Sequence, residues 1–136
     1  MSGRWCGVGI AVATALATVS GCGTLAERRD AAASEVTRFE RALDAQQPER
    51  LCAALAPSTR EELEQSAKQR CEQAIGEQDL PSAGAVRGVD VYGDQARVVF
   101  EHDTVFLARF SAGWKVTAAG CLPRSQRPYQ CEIKGG

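Results

Sequence analysis

The chain has 136 residues, with 16 Lys and Arg against 17 Asp and Glu, which gives a net charge of −1 at neutral pH. This length suits one domain with one modest hydrophobic core. The near balance of charge gives no electrostatic case for binding nucleic acid, so we expect no nucleic-acid partner.

The N-terminal segment is typical of a bacterial export signal. Arg4 is the only charged residue before Glu27, and the residues between them are mostly small or apolar. A basic start, an apolar stretch and a small-residue cleavage zone make a signal peptide. The stretch is rich in Ala, Thr and Gly, so it is a poor candidate for a permanent span, which needs about 20 strongly apolar residues.

The segment ends in Val19-Ser20-Gly21-Cys22, which resembles the bacterial lipobox. In that motif a signal peptidase cuts before a cysteine that has been acylated on its sulfur. We therefore expect cleavage after residue 21 and acyl chains such as palmitate on Cys22. Two or more chains would hold the protein stably to the extracytoplasmic face of the cell membrane. The alternative is an ordinary cleaved signal with an incidental cysteine.

The mature chain keeps an even number of cysteines outside the cytoplasm, which predicts two disulfides. Four cysteines follow Cys22 in the sequence, and four cysteines can pair in three ways. We favour Cys52–Cys71, which would join two adjacent helices, and Cys121–Cys131, which would close a C-terminal turn. The competing zinc site is disfavoured because the cysteines are widely spaced and the single His102 is remote in sequence. We predict no metal and no cofactor.

The chain divides into three parts: a signal peptide at 1–21, a lipidated cysteine with a polar tether at 22–30, and one domain at 31–136. Apolar residues recur every three or four positions from Ala32 to Leu43, which predicts that the domain opens with a helix.

Two further helices are predicted after this one. Pro48 suits the first turn of the second helix. A third helix opens near Pro57, where Ser58 could cap it and Glu61 could complete a capping box. Helical spacing continues through Cys71 to Gly76, a plausible stop.

The second half of the chain changes period. Apolar residues alternate with polar ones from Val89 to Ala118, and tight turns interrupt them, which predicts an antiparallel β-meander. The tail after Cys121 contains two prolines and reads as a loop that returns as a short strand. Helices first and strands second give an α+β domain, with the helices across one face of a curved sheet. The residues expected in the core are Phe39, Leu43, Leu55, Leu63, Val98, Phe100, Phe106 and Val116.

Two stretches of the domain resemble small actinobacterial lipoproteins of unknown function. The first is the helical pattern from Arg41 to Leu63, and the second comprises Val91-Tyr92-Gly93-Asp94, Asp103-Thr104-Val105-Phe106-Leu107, Gly113-Trp114 and Gly120-Cys121. The resemblance covers most of the mature chain, from about Ala32 to the end. The order of helices and meander, with its Gly-Trp turn, also resembles the nuclear-transport-factor-2-like (SnoaL-like) cone fold, a cystatin-like arrangement. That resemblance implies a helix-backed curved sheet, but the fold hosts enzymes, binders and assembly modules and so selects no function.

The sequence offers few groups for catalysis. The acid–base candidates are Asp90, Glu101, His102 and Asp103, which we interpret as surface and turn residues because a catalytic dyad needs a pocket and an orienting third group. The cysteines are better used as disulfides than as nucleophiles, so we predict no catalytic residues.

Several other residues could touch a ligand or a surface. Trp114 and Tyr92 could line a cavity, although a Trp after a turn glycine more often fills the core. The basic tail residues Arg124, Arg127 and Lys134 fall short of the four to eight charges of a strong lipid-binding cluster.

Two classes of function remain. The first is a non-enzymatic envelope lipoprotein that binds a small ligand or a partner protein. The second is a small extracytoplasmic enzyme, a hydratase, isomerase or hydrolase, which would need a buried carboxylate or His in a real cavity. An accessory subunit of a membrane complex is a further alternative.

Overall fold

The computed structural model describes residues 23–135, so the predicted signal peptide and Cys22 lie outside the described residues. Within that range four helices precede five strands, the α+β order that the sequence predicts. The helices are α1 (Leu25–Asp44), α2 (Pro48–Ala54), α3 (Pro57–Ala67) and α4 (Cys71–Gly76). The strands are β1 (Val86–Tyr92), β2 (Gln95–Phe100), β3 (Thr104–Phe110), β4 (Gly113–Arg124) and β5 (Arg127–Lys134). No helix among residues 23–135 is long and apolar enough to cross a bilayer.

Helix α1 begins at Leu25, inside the segment predicted to be a tether. The Thr24 hydroxyl accepts a hydrogen bond from the Glu27 amide at 3.2 Å, and the Glu27 carboxylate accepts one from the Thr24 amide at 2.6 Å. This capping box satisfies two amides that a helix start would otherwise leave unpaired. The prediction of a tether is therefore wrong for residues 25–30.

The third predicted helix is two helices. Lys68 adopts a left-handed conformation with φ of 53° and ends α3, and α4 begins at Cys71. Ser58 does not cap α3: Ala56 is the N-cap and Pro57 takes the first helical position, where its fixed φ suits the helix. Cys71 is nevertheless buried and bonded to Cys52, so the predicted disulfide is confirmed and joins α2 to α4.

The strands form one antiparallel sheet in the order β1-β2-β3-β4-β5. The predicted C-terminal loop is instead a hairpin of β4 and β5, in which Cys121 lies opposite Cys131. The second disulfide is confirmed, and it crosses two paired strands rather than closing a turn. Pro128 is accommodated because β5 is an edge strand, where a missing backbone donor need not break the ladder.

The core lies between the helices and one face of the sheet. Most of the predicted core residues are buried there, namely Phe39, Leu55, Leu63, Val98, Phe100 and Val116, and Leu43 is partly buried. Phe106 is the exception. Side chains alternate along a strand, so Val105 and Leu107 face the core while the Phe106 ring lies on the other face, 5.1 Å from the Tyr129 ring.

Two hydrogen bonds fix the junction of α2 and α3 on strand β4. The Ala56 amide donates to the Val116 carbonyl at 2.8 Å, and the buried Thr59 hydroxyl donates to the Thr117 carbonyl at 3.1 Å. This junction holds α2 beside α1 and above the start of β4.

Candidate functional site

Two hairpin turns and the start of α1 meet at one end of the domain. The turns at 92–95 and 110–113 are adjacent because the Arg109 guanidinium pairs with Asp94 at 2.8 Å and the Arg109 amide donates to the Asp94 carbonyl at 2.7 Å. Arg28, from the first turns of α1, lies 3.7 Å from the same carboxylate. We call this region, formed by the start of α1 and the two turns, the hairpin end.

The hairpin end exposes apolar side chains. Of the five large apolar side chains that are exposed within residues 23–135, three lie here: Leu25 at 50%, Tyr92 at 67% and Phe110 at 42%. Scattered single apolar residues on a surface need no explanation, whereas a contiguous patch marks contact with a protein or a membrane, so the shared location of these three makes the hairpin end a candidate contact surface. The first of them, Leu25, comes three residues after Cys22 in the sequence.

A groove of about 990 Å³ runs between α1, α2 and the 110–113 turn. Alanines line both helical walls, among them Ala31 and Ala42 from α1 and Ala53 from α2, and Trp114 forms part of the lining from β4. Pockets of about 300–1,000 Å³ are the size that holds small molecules. The groove is therefore large enough for a small ligand.

The charged side chains of this groove are mostly basic. Within residues 23–135 its lining contains four basic side chains and one carboxylate, namely Arg38, Arg41, Arg50, Lys115 and Glu35. That carboxylate pairs with Arg38 at 2.7 Å, and the Lys115 ammonium donates to the Ala53 carbonyl at 2.8 Å.

Arg41 and Arg50 form no ion pair within residues 23–135 and are exposed. The lining thus carries an excess of three positive charges, although the whole chain is slightly acidic. The groove can attract an anion and donate several hydrogen bonds to it.

A second cluster of charge lies on the other side of α1. Asp103 follows β2 in the turn to β3 and is only 6% exposed. Its carboxylate accepts hydrogen bonds from the backbone amides of Thr104 at 2.6 Å, Cys121 at 2.8 Å and Gly120 at 3.1 Å. The side chain therefore ties the β2–β3 turn to strand β4, and the interpretation of Asp103 as a solvated turn residue is wrong.

Glu40 points from α1 toward the same turn. Both of its carboxylate oxygens are buried, and neither makes a hydrogen bond within residues 23–135. Burial raises the pKa of Glu40 to about 7, and the nearby charge of Asp103 contributes to the rise. The backbone of Ala83 lowers this pKa by less than burial raises it.

Burial also raises the pKa of Asp103, while its three backbone amides favour the charged form and limit the shift. The two carboxyl groups thus share a poorly solvated site in which ionising one disfavours ionising the other. Neither carboxylate lines the groove.

The remaining acid–base candidates lie apart from both clusters. Asp90 pairs with Arg97 at 2.7 Å across two strands, and Glu101 pairs with Arg87. His102 is exposed in the β2–β3 turn. The structure therefore brings Asp103 alone of the four to a buried site.

The aromatic and basic candidates also lie in different parts of the domain. Trp114 is 7% exposed and belongs to the core, as its position after a turn glycine predicts, while part of it lines the groove. Tyr92 lies at the hairpin end. The tail residues Arg124 and Arg127 flank the β4–β5 turn, and Lys134 ends β5, so they do not gather with the groove arginines.

Sequence reasoning missed Glu40, Arg41 and Arg50. Glu40 occupies a helical position between two core-facing residues, Phe39 and Leu43, which was a signal of partial burial. The two arginines come from different helices, and only the packing of α1 on α2 brings them together. Within residues 23–135 no three His, Cys, Asp or Glu side chains are placed to hold a metal ion.

No family model matches this chain, and neither a curated protein nor a solved structure matches it.

Proposed function

We propose that this chain is a membrane-anchored lipoprotein of the cell envelope whose domain binds a small ligand or a partner protein without catalysing a reaction. The observation that carries the proposal is the hairpin end. The domain begins with Gly23 and the capping residue Thr24, so only these two residues separate Cys22 from α1. The end that would lie next to the lipid is the end that exposes Leu25, Tyr92 and Phe110.

The chemistry of this end suits a bilayer surface. Tyrosine is favoured where one part of a side chain is apolar and the other is wet, as at a membrane interface. The two adjacent turns carry Arg109 beside Tyr92 and Phe110, and α1 adds Arg28 and the exposed Arg29. Arg28 and Arg109 share the carboxylate of Asp94, so this end suits a bilayer surface through its exposed apolar side chains rather than through an excess of positive charge.

For the fold, we propose the nuclear-transport-factor-2-like cone. The helices-first order and the five-stranded meander support it. The interior differs from an open cone because Phe39, Val98, Leu107 and Val116 are each at most 1% exposed between α1 and the sheet. Ligand binding is therefore assigned to the groove outside the core.

A second candidate is a small extracytoplasmic enzyme such as a hydratase, isomerase or hydrolase. The observation in its favour is Glu40, because a carboxyl group with a pKa of about 7 is suited to acid–base chemistry. Against it, a substrate must reach the catalytic group, and both Glu40 oxygens are buried. A role as accessory subunit of a membrane complex would use the same anchor.

The test is the intact, non-reduced mass of the protein extracted from its native membrane. We expect a chain that starts at Cys22, carries diacylglycerol and lacks four hydrogens because of two disulfides. A Cys22→Ala variant should lose the lipid mass and leave the membrane fraction. An unlipidated wild-type chain with a different N-terminus would overturn the anchor.

A further inference from the structure

We propose that the groove between α1, α2 and the 110–113 turn binds a small compound carrying at least two negative charges, as phosphate or carboxylate groups. This deepens the proposed function, since it names the chemical class of the ligand. The anionic group could belong to a free metabolite or to a lipid headgroup, and the chemistry of recognition is the same for both.

The first argument is charge. Four basic side chains and one acidic side chain line the groove, although acidic residues slightly outnumber basic ones in the whole chain. The one carboxylate is already neutralised by Arg38, at 2.7 Å. Arg41, Arg50 and Lys115 therefore face the groove without a compensating carboxylate in its lining.

The second argument is geometry. Arg41 comes from α1 and Arg50 from α2, and both line the groove, so an anion bound there could accept from both guanidinium groups. Lys115 is held in place by its bond to the Ala53 carbonyl at 2.8 Å, and its ammonium keeps two further donors. Part of Trp114 and the wall alanines offer apolar contact for the carbon skeleton of a ligand.

The third argument is size. A volume of about 990 Å³ lies in the range of small-ligand sites. The side chains that would bind the anion lie within one concave surface, whereas an acidic protein partner would be expected to meet basic residues spread over a wider face.

The arginines of residues 23–135 that lie outside this groove mostly pair with neighbouring carboxylates, as Arg60, Arg87 and Arg97 do.

The experiment uses the full chain, purified from its own membrane in a nonionic detergent. Inorganic pyrophosphate is titrated while the emission of Trp114 is followed. The test variant is Arg41→Gln with Arg50→Gln. The matched control is Arg124→Gln with Arg127→Gln, which removes the same charge at the β4–β5 turn, outside the groove.

We expect pyrophosphate to bind, the Arg41/Arg50 variant to bind at least about tenfold more weakly, and the control to bind within about twofold of the wild type, since charge-assisted hydrogen bonds are strong. Binding should weaken as salt is added, because exposed charges are screened. A second arm compares nanodiscs of phosphatidylglycerol with nanodiscs of phosphatidylcholine. A Trp114 response to phosphatidylglycerol nanodiscs but not to phosphatidylcholine nanodiscs, lost in the Arg41/Arg50 variant, would support a headgroup as the source and would mean that the groove, rather than the hairpin end, meets the bilayer.

The proposal is overturned if neither probe changes Trp114 emission or the heat of mixing, or if the control weakens binding as much as the test variant. It is also overturned if only an acidic protein binds. The intact mass of each sample shows whether the protein is lipidated, so the lipid anchor and the anion-binding groove are tested independently. A lipidated protein without anion binding keeps the anchor and rejects the ligand class, and an unlipidated protein with intact binding does the reverse.

Discussion

Glu40 of helix α1 and Asp103 of the β2–β3 turn place two carboxyl groups in one buried site, where the charge of Asp103 helps to raise the pKa of Glu40 to about 7. Asp103 has three backbone amides to stabilise its charge, whereas the carboxylate of Glu40 makes no hydrogen bond within residues 23–135. The surroundings therefore stabilise the charged form of Asp103 better than that of Glu40. Glu40 is the group of the two that keeps a proton near neutral pH.

This inequality makes the stability of the domain depend on pH. The folded chain binds the Glu40 proton more tightly than the unfolded chain, in which its pKa is 4.5. The resulting stabilisation is complete below pH 4.5 and is lost as pH rises through about 7. After allowance for the partial exposure of the side chain, the loss is about 2 kcal/mol.

We predict that Glu40→Gln removes this loss. Its free energy of unfolding in urea should equal that of the wild type at pH 5 and exceed it by about 2 kcal/mol at pH 8, because the amide stays neutral. Glu61→Gln, at an exposed position of α3, serves as control and should leave the pH profile unchanged. The same difference between Glu40→Gln and wild type at both pH values would contradict the assignment.

Asp103 supports a second prediction. Asp103→Ala leaves three buried amides without an acceptor and should cost about 3 kcal/mol or more of unfolding free energy. Asp103→Asn keeps an oxygen for Thr104 and Cys121 and loses the bond to Gly120, so it should cost about 1 kcal/mol. Because Asn carries no charge, it should also shift the Glu40 transition to lower pH. Equal losses for both variants would show that the hydrogen bonds from Thr104 and Cys121, which Asn retains, contribute little.

Gly120 gives a prediction about the backbone. It has φ of +66°, and a Cβ placed on it would lie 2.9 Å from the side chain of Glu132. Gly120→Ala should therefore cost about 2 kcal/mol, measured by urea unfolding. Gly88→Ala in β1 is the matched control, since its Cβ would meet nothing within 4 Å. That variant should leave stability unchanged or raise it by up to about 1 kcal/mol.

The orientation on the membrane can be measured with tryptophan probes. Tyr92 and Leu122 have similar exposures, 67% and 62%, but Tyr92 lies at the hairpin end while Leu122 lies near the far end of β4. In bilayers of brominated lipid, we expect the emission of Tyr92→Trp to be quenched and that of Leu122→Trp to be unaffected, after subtraction of the wild-type signal. Equal quenching, or quenching only at position 122, would contradict contact through the hairpin end.

Local patterns predicted much of the fold. The helical period from Ala32 to Leu43 and the alternation in the second half fixed the α+β order, and Cys52 and Cys71 could be paired because both occupy inward helical positions. The helix start at Leu25 was missed, because residues 25–30 were interpreted as a tether although Thr24 and Glu27 have the spacing of a capping box.

The two charged clusters were not predictable in the same way. Nothing near Asp103 in the sequence reveals that the amides of Gly120 and Cys121, 17 and 18 residues later, will meet its carboxylate. The groove likewise needs residues from α1, α2 and β4. Such sites arise from contacts between distant segments, which neither periodicity nor capping rules report.

Helix α1 also sets a distance. It runs for 20 residues from Leu25, so Glu40 lies about 22 Å along the helix from its start at a rise of 1.5 Å per residue. We consider the hairpin end against a bilayer and the helix directed away from it. The surface potential of anionic lipids decays over about 8 Å at physiological salt, so it would be close to zero at Glu40. The titration of Glu40 would then follow the acidity of the surrounding compartment and be insensitive to the lipid composition beneath the domain.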